Sequence, residues 1–284
     1  MTKDDPNPHN GLDALLPAEI ARRAEQIGAA KTRLDWPSLA ALAVLGGAFI
    51  GLGGMFATTV LAGVEGAAGP VRALAGLVFA LGLVLVVVGG AELFTGNNLM
   101  VMAWASGKVR LMEMLRAWAI VWIGNFIGAV GTAALVFLAG QPLLGDGAGA
   151  VTALQIAAVK TGLPLFRAFF LGILCNVLVC LAVWLSYGAR GTADKILAVL
   201  FPVAAFVTAG FEHSVANMYF VPLGFLLAAF GPDWLVANGP GAEAAAALSW
   251  GGFARNLAAV TLGNIIGGGV LVGAVYWFIY LRRR

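Results

Sequence analysis

The stretch VRALAGLVFALGLVLVVVGGAELFTGNNLMVMAWA (residues 71–105) decides the fold, and it has a counterpart in ILAVLFPVAAFVTAGFEHSVANMYFVPLGFLLAAF (residues 196–230). Each stretch is too long for one uninterrupted membrane crossing, which takes about 20 apolar residues as a helix. Each is also interrupted midway by glycine and polar residues, at residues 92–98 and 210–214. Unpaired backbone in lipid is costly, so such breaks are tolerated only where they face protein or a water-filled cavity. Two broken helices therefore predict a pathway between them.

The composition places these two stretches within one membrane domain. Of 284 residues, 61% are hydrophobic and only 11% are charged, whereas an ordinary soluble domain has roughly 25% charged residues. We expect an all-α integral membrane protein with six transmembrane helices in residues 36–284, the second and fifth broken. The predicted spans are Leu39–Val64, Val71–Ala105, Leu115–Ala139, Phe166–Leu185, Ile196–Phe230 and Leu257–Leu281.

Residues 1–35 form a separate, polar N-terminal segment. Pro17 can occupy the first turn of an amphipathic helix that runs to about Leu34. This helix could lie on the membrane surface, plug the mouth of a pathway, or simply anchor the first span. The segment lacks the basic and apolar regions of a cleaved signal peptide, so the first span is expected to direct insertion.

The 17 lysine and arginine residues predict the topology, because cytoplasmic loops carry the excess of positive charge. In a six-span chain, 13 of them fall on the side of both termini and four, Arg72, Lys160, Arg167 and Arg255, fall on the other. We expect a multi-pass protein of a bacterial inner (plasma) membrane with both termini in the cytoplasm. The basic residues lie between apolar spans and not on one polar face, so no nucleic-acid partner is expected despite the net charge of +3.

The two cysteines, Cys175 and Cys180, lie within one apolar span and are interpreted as packing residues. They provide neither a disulfide framework nor a metal quartet. We therefore expect no metal site and no cofactor.

A short motif recurs in the two halves of the chain. GNFIG at residues 124–128 in the third span returns as GNIIG at residues 263–267 in the sixth. Three spans separate the copies, and broken spans occupy matching places, which predicts an inverted 3+3 repeat with a site near the midplane. The Gly-xxx-Gly spacing favours close helix approach, with Asn125 and Asn264 bonding across helices.

Few ionisable residues lie inside the spans, and each predicts a function because burial in lipid is costly. His213 is the sharpest candidate, since an imidazole beside a pathway can give a proton to a weak-acid anion or pair with it. The alternative is a neutral histidine that only bonds the broken backbone. Glu92 and Glu212 sit at equivalent points of the two breaks, and with Asn217 they are expected to support the breaks by accepting bonds from free amides.

Other polar and apolar residues near the breaks are weaker candidates. Thr95 can offer a hydroxyl to an anion or to His213, or it can cap the following half-helix. Lys160, in the predicted outward loop before the fourth span, would concentrate anions unless it is an ordinary surface lysine. Asn176 could present an amide toward the pathway. Apolar constrictions that gate by dewetting could be formed by Phe94, Val179 and Phe206, unless these residues only pack in the core or against lipid.

Four motifs together resemble the formate/nitrite transporter family. They are AELFTG (91–96), NVLVCLAVW (176–184), FEHSVANM (211–218) and TLGNIIGGG (261–269), and the resemblance extends from the N-terminal LLP (15–17) to the last span. It implies an aquaporin-like protomer with broken second and fifth helices, in a homopentamer with one pathway per protomer. It also implies a transporter and not an enzyme.

The resemblance assigns roles to individual residues. It implies that His213 and Thr95 face each other at the centre of the pathway, between two apolar constrictions, and that Lys160 and Asn176 match the family's external lysine and fourth-span asparagine. The central constriction would be formed by Phe94, Val179 and Phe206, and the cytoplasmic one by Phe79, Leu83 and Leu93.

The substrate predicted by the resemblance is formate or a similar small monovalent anion. The N-terminal LLPAEIAR (15–22) and C-terminal GAVYWFIYLR (273–282) resemble formate channels, while ELFTG (92–96) also resembles the nitrite branch, and a hydrosulfide branch exists. A neutral-solute channel and an intramembrane enzyme are the rivals. The breaks lack Asn-Pro-Ala motifs, only one histidine lies within the spans, and Ser214 is adjacent to His213, where ordinary side-chain directions do not aim one at the other.

The hypothesis for the mechanism follows from the cost of burying charge. A bare anion would pay a large desolvation cost in an apolar constriction. Proton uptake from His213, or through it from water, would let the acid cross as a neutral molecule.

Overall fold

The computed structural model describes residues 14–64, 66 and 69–282, and within these residues every regular element is helical. The first 13 residues of the predicted N-terminal segment and the basic residues Arg283 and Arg284 lie outside the described residues. In chain order the helices are α1 (Pro17–Thr32), α2 (Trp36–Leu61), α3 (Gly69–Gly89), α4 (Val101–Ala105), α5 (Leu111–Leu138), α6 (Ala148–Gly162), α7 (Leu165–Gly188), α8 (Thr192–Ala209), α9 (Ser214–Phe230), α10 (Asp233–Ala237), α11 (Gly239–Ala246), α12 (Trp250–Asn264) and α13 (Val275–Tyr280).

Six helical stretches in the described part of the chain are long and apolar enough to cross a membrane, which confirms the predicted class. They are Trp36–Leu61, Gly69–Gly89, Leu111–Leu138, Leu165–Gly188, Thr192–Ala209 and Trp250–Tyr280. The predicted interruptions of the second and fifth segments are also confirmed. After α3 the chain continues through the 3₁₀ turn Gly96–Met100 into α4, and after α8 it continues into α9.

Each break opens at a glycine that ends the preceding helix. Gly90 and Gly210 have φ angles of 83° and 73°, in the left-handed region where a side chain is strained. The next residues run without helical structure, at residues 91–93 in break 1 and residues 211–213 in break 2. The two polar interruptions in the sequence are therefore real gaps in the helices.

One asparagine braces each break with the same pattern of hydrogen bonds. Asn125 Oδ1 accepts from the Phe94 amide at 2.8 Å, and its Nδ2 donates to the carbonyls of Ala43 (2.7 Å) and Glu92 (2.8 Å). The amide group of Asn264 makes the corresponding three bonds, with Ser214 N at 3.0 Å, Gly172 O at 2.7 Å and Glu212 O at 3.1 Å. The predicted cross-helix bonds of both asparagines are confirmed, and the two-fold relation between the halves stays a prediction.

The glycines of the repeated motif allow the close helix approach that their spacing predicted. A Cβ at Gly124 would collide with Ala43, and one at Gly128 would collide with the carbonyl of Val44 on α2. In the second copy, a Cβ at Gly263 or Gly267 would collide with main-chain carbonyls of α7. At these four positions the backbone of the glycine packs directly against the neighbouring helix, which only a residue without a side chain permits.

The N-terminal helix α1 packs against protein at the end of the bundle where the described residues begin and end, which we call the terminal side. Ile20, Ala21 and Ala24 are buried in a cluster with Met102, Trp184 and Leu281. The Leu15 amide donates to the carbonyl of Gly188 at 3.1 Å. Of the three interpretations of this helix, the structure favours a position at the pathway mouth, because α1 also lines a vestibule described below.

The loop predicted before the fourth span is largely a helix. Residues 148–162 form α6, which packs against α9 on the opposite side of the bundle and carries Lys160 in its last turn. The prediction of a loop was wrong because this alanine-rich stretch, AGAVTALQIAAVKTG, is too short to cross a membrane but has high helix propensity. Its buried residues Ala150, Ala153, Leu154 and Ala157 fix its orientation.

The last span is not a uniform α-helix. Between α12 and α13 the segment Ile265–Ala274 has the wider turns of a π-helix. Within it, a Cβ at Gly268 would collide with the side chains of Asn176 and Cys180. Beyond it, Tyr276 stacks on Trp184 with ring centroids 4.1 Å apart, and Trp277 Nε1 donates to Ser106 Oγ at 3.0 Å.

Candidate transport pathway

Three cavities lie one after another through the bundle, and the path that they form runs between the two breaks. The terminal vestibule has a volume of about 360 Å³ and is walled by α1, α3, break 1 and α7. The opposite vestibule has a volume of about 200 Å³ and is lined by residues that include Arg72, Lys160, Glu212 and His213. A central chamber lies between them and has no room for a water-sized sphere.

The lining residues shared between the cavities show how they connect. Leu83 and Leu93 line both the chamber and the terminal vestibule. Phe79, Phe206 and His213 line both the chamber and the opposite vestibule. The chamber is therefore the constriction between two wider, open-ended vestibules.

Five of the six predicted constriction residues line the chamber. They are Phe79, Leu83, Leu93, Val179 and Phe206. Phe79 was assigned to the same constriction as Leu83 and Leu93, but it packs edge-on against Phe206, with ring centroids 5.8 Å apart, on the side of the opposite vestibule. Ile50 and Val203 complete the wall and were not predicted, since an apolar residue within a span gives no signal that distinguishes lining from packing.

Phe94 and Asn176 lie elsewhere than predicted. Phe94 does not line the chamber, and its ring packs edge-on against Trp118, with centroids 6.1 Å apart. Asn176 is fully buried behind the chamber wall, where its amide donates to the carbonyls of Thr95 (3.2 Å) and Asn264 (2.7 Å) and to Asn98 Oδ1 (2.7 Å). This asparagine ties the chain around break 1 to α12 and does not face the pathway.

His213 and Thr95 meet as predicted, at the junction of the two breaks. Thr95 Oγ1 lies 3.0 Å from His213 Nε2, and both side chains are buried. His213 also caps α9, because its Nδ1 accepts the Ala216 amide at 3.0 Å. A ring nitrogen that accepts a hydrogen bond carries no proton, so the neutral ring is protonated at Nε2 and donates to Thr95 Oγ1. The Thr95 hydroxyl then keeps its own hydrogen available for another acceptor.

Each break holds a buried glutamate that is paired with a lysine and an asparagine. In break 2, Glu212 accepts from Lys160 Nζ at 2.9 Å and from Asn217 Nδ2 at 2.6 Å. In break 1, Glu92 pairs with Lys31 Nζ at 3.1 Å and accepts from Asn97 Nδ2 at 2.7 Å. These contacts agree with the predicted support role of Glu92, Glu212 and Asn217, although side-chain amides and ammonium groups take the place of the expected main-chain amides.

Lys31 is a site residue that the sequence did not indicate. It lies in the last turn of α1 and also donates to Asn97 Oδ1 at 2.8 Å. Burial alone would lower the pKa of its ammonium group, but the Glu92 carboxylate, with a contribution from Tyr187, outweighs burial and raises that pKa above the ordinary value. The contact joins residues 61 positions apart, and no motif near Lys31 marks it.

A sequence model of the family described as "Formate/nitrite transporter" matches residues 18–278. The formate channel FocA of Escherichia coli (strain K12) is 41% identical over 276 residues, which cover 96% of this chain and 97% of that relative. A solved structure described as "Pentameric formate channel with formate bound" has a TM-score of 0.80 at 40% identity, covering 87% of this chain and 98% of that one. The range matched by the family model includes every residue that lines the three cavities.

A more distant similarity concerns the fold alone. An X-ray structure of the aquaglyceroporin from Plasmodium falciparum has a TM-score of 0.51 at 16% identity, covering 85% of this chain and 99% of that one. This agrees with the predicted aquaporin-like architecture.

Proposed function

Because this chain belongs to the formate/nitrite transporter family, we propose that it carries formate across the inner membrane of a bacterium, with one pathway per protomer of a homopentamer. The observation that carries the proposal is the series of vestibule, chamber and vestibule between two breaks, with His213 on the chamber wall. Formate transport and a pentamer are also what the descriptions of the similar proteins name. The terminal side would face the cytoplasm, since the six-span topology predicted from the sequence assigns 13 of the 17 basic residues to that side.

The apolar chamber supports passage of a neutral molecule. Seven of its eight lining residues are apolar, and it has no room for a water-sized sphere, so an ion entering it would lose its hydration shell. The effective penalty for burying an unpaired ion is several kcal/mol after relaxation. Formate that takes up a proton before or within the chamber avoids this cost and crosses as formic acid.

The geometry of His213 constrains how it could supply that proton. If Nε2–H were transferred to formate while Nδ1 stayed bare, the ring would become an anion, which is prohibitive in this setting. A second proton must therefore reach Nδ1, where it displaces the bond from the Ala216 amide. We propose that His213 relays protons in this coupled way, and that the Thr95 hydroxyl donates to the substrate while it passes.

Replacing His213 separates proton relay from support of the break. His213→Asn keeps a side chain that can cap α9 but cannot titrate, whereas His213→Phe removes the cap as well. Formate uptake into proteoliposomes would be measured between pH 5 and 8. If the asparagine variant keeps the wild-type dependence on pH, the relay role of His213 is refuted and the proton must come from water.

The substrate is tested by competition among candidate solutes. Formate, nitrite, hydrosulfide and glycerol would be compared in proteoliposomes at two pH values. We expect formate to be carried, with nitrite as its closest competitor because ELFTG (92–96) also resembles the nitrite branch. Wild-type protein that carries glycerol but no anion would refute the proposed function.

A further inference from the structure

The vestibule on the opposite side contains two cations that differ in what they contact. Lys160 is committed to the protein, because it pairs with Glu212 at 2.9 Å and lies 5.6 Å from the centroid of the Phe220 ring. The charges of this lysine and glutamate cancel, and both side chains are largely buried, with 12% and 7% exposure. The lysine predicted to attract anions therefore contributes little free charge to the vestibule.

Arg72 is the second cation of the same vestibule, and it has no charged partner among the described residues. It lies near the start of α3, is half-buried, and lines the cavity together with Lys160 and His213. Its guanidinium makes no hydrogen bond or ion pair with residues 14–64, 66 and 69–282. One of its nitrogens lies close to Gly210, only 2.6 Å from where a Cβ would stand, which places the guanidinium against break 2. The net charge of the vestibule, one positive charge, thus comes from Arg72.

We propose that Arg72 is the residue that binds the incoming anion at this mouth of the pathway and selects its shape. A guanidinium presents parallel N–H donors that match two oxygens of one planar group, whereas an ammonium acts as a point charge. Formate and nitrite each offer two such oxygens, and hydrosulfide offers a single sulfur atom. Arg72 therefore favours planar two-oxygen anions over monatomic acceptors and delivers them toward His213. This inference rests on the proposed anion transport and adds a specificity residue to it.

Charge and shape are separated by two substitutions and one control. Arg72→Gln removes the charge, and Arg72→Lys keeps the charge but removes the parallel N–H donors of the guanidinium. The control, Arg167→Gln, removes an exposed positive charge from the same side of the bundle without touching the vestibule. Initial rates of formate and hydrosulfide uptake would be measured in proteoliposomes against concentration, at low and high ionic strength.

The expected results follow from the positive charge of Arg72 and from the parallel N–H donors of its guanidinium. Arg72→Gln should raise the half-saturating concentration of both anions by about tenfold at low ionic strength, near the lower end of electrostatic focusing effects, and less at high salt. Arg72→Lys should raise it about two- to tenfold for formate only, the effect of losing one hydrogen bond. The maximal rate and the Arg167→Gln variant should stay close to wild type.

Two outcomes would overturn the inference, and they differ from failure of the function. If Arg72→Gln behaves like Arg167→Gln, Arg72 binds no anion. If Arg72→Lys raises the half-saturating concentrations of formate and hydrosulfide equally, the parallel N–H donors of Arg72 do not select the shape of the anion. Wild-type protein that carries no anion would instead defeat the proposed transport and, with it, this inference.

Discussion

Breaking the Lys160–Glu212 pair should destabilise the protein more than any other single charge deletion at the breaks. The charged atoms are 2.9 Å apart, which corresponds to an attraction of about 6 kcal/mol at an effective dielectric constant of about 20. Lys160→Met leaves the Glu212 carboxylate buried with only the amides of Asn217 and Asn256 as partners. Removing one partner of a buried pair costs about 3–5 kcal/mol, and we expect a loss of that size in the free energy of unfolding.

The double variant tests the physical cause. Lys160→Met with Glu212→Gln leaves no buried unpaired charge, so most of the lost stability should return. Unfolding free energies would be measured by denaturant titration in mixed micelles, as a double-mutant cycle. Lys31→Met at break 1 is the matched comparison, and its cost should be smaller because the Lys31 side chain is 22% exposed against 12% for Lys160. A double variant as unstable as the sum of its single variants would refute the reasoning.

Three further predictions address other parts of the structure. The pKa of Lys31 is raised in the folded state, so its contribution to holding α1 is complete below the ordinary lysine pKa of about 10.4 and is lost as pH rises through the folded value. The protection of α1 amides against hydrogen exchange, corrected for the base-catalysed intrinsic rate, should fall there, and Lys31→Met should abolish this alkaline step. Gly128→Ala should prevent assembly of the bundle because its Cβ collides with a main-chain carbonyl of α2, while Gly131→Ala, which meets open space, should leave thermal stability unchanged. Phe206→Ala should widen the chamber and admit water, measurable as faster osmotic swelling of proteoliposomes; Phe201→Ala, on the exposed face of the same helix, should not.

The two breaks could be predicted because polar residues in the middle of an apolar span have few acceptable explanations. Glu92, Glu212 and His213 are costly in lipid, so their positions alone indicated where the helices open. The repeated Gly-xxx-Gly motif was similarly informative, because close backbone contact is the main structural use of such spacing. The pairing of Thr95 with His213 came from the family resemblance, and the distance between them agrees with it.

The contacts that the sequence missed depend on long-range packing. Phe94 follows directly after Leu93, but Leu93 lines the chamber whereas the Phe94 ring packs against Trp118. Asn176 was expected to face the pathway because it is polar, yet its amide donates to two buried main-chain carbonyls, that of Thr95 beside break 1 and that of Asn264 on α12. A buried amide satisfies either role, and only the three-dimensional arrangement distinguishes them.

The π-helical segment Ile265–Ala274 also determines the directions in which the side chains of the following helix, α13, point. A helix with more residues per turn rotates each later side chain relative to a regular α-helix, so α13 presents Tyr276 and Trp277 toward Trp184 and Ser106. Deleting one residue from this segment would let ordinary turns form and swing both rings away, uncoupling the last helix from the end of α7 and from the residues after α4. The length of this glycine-rich stretch is thus under as strict a constraint as its composition.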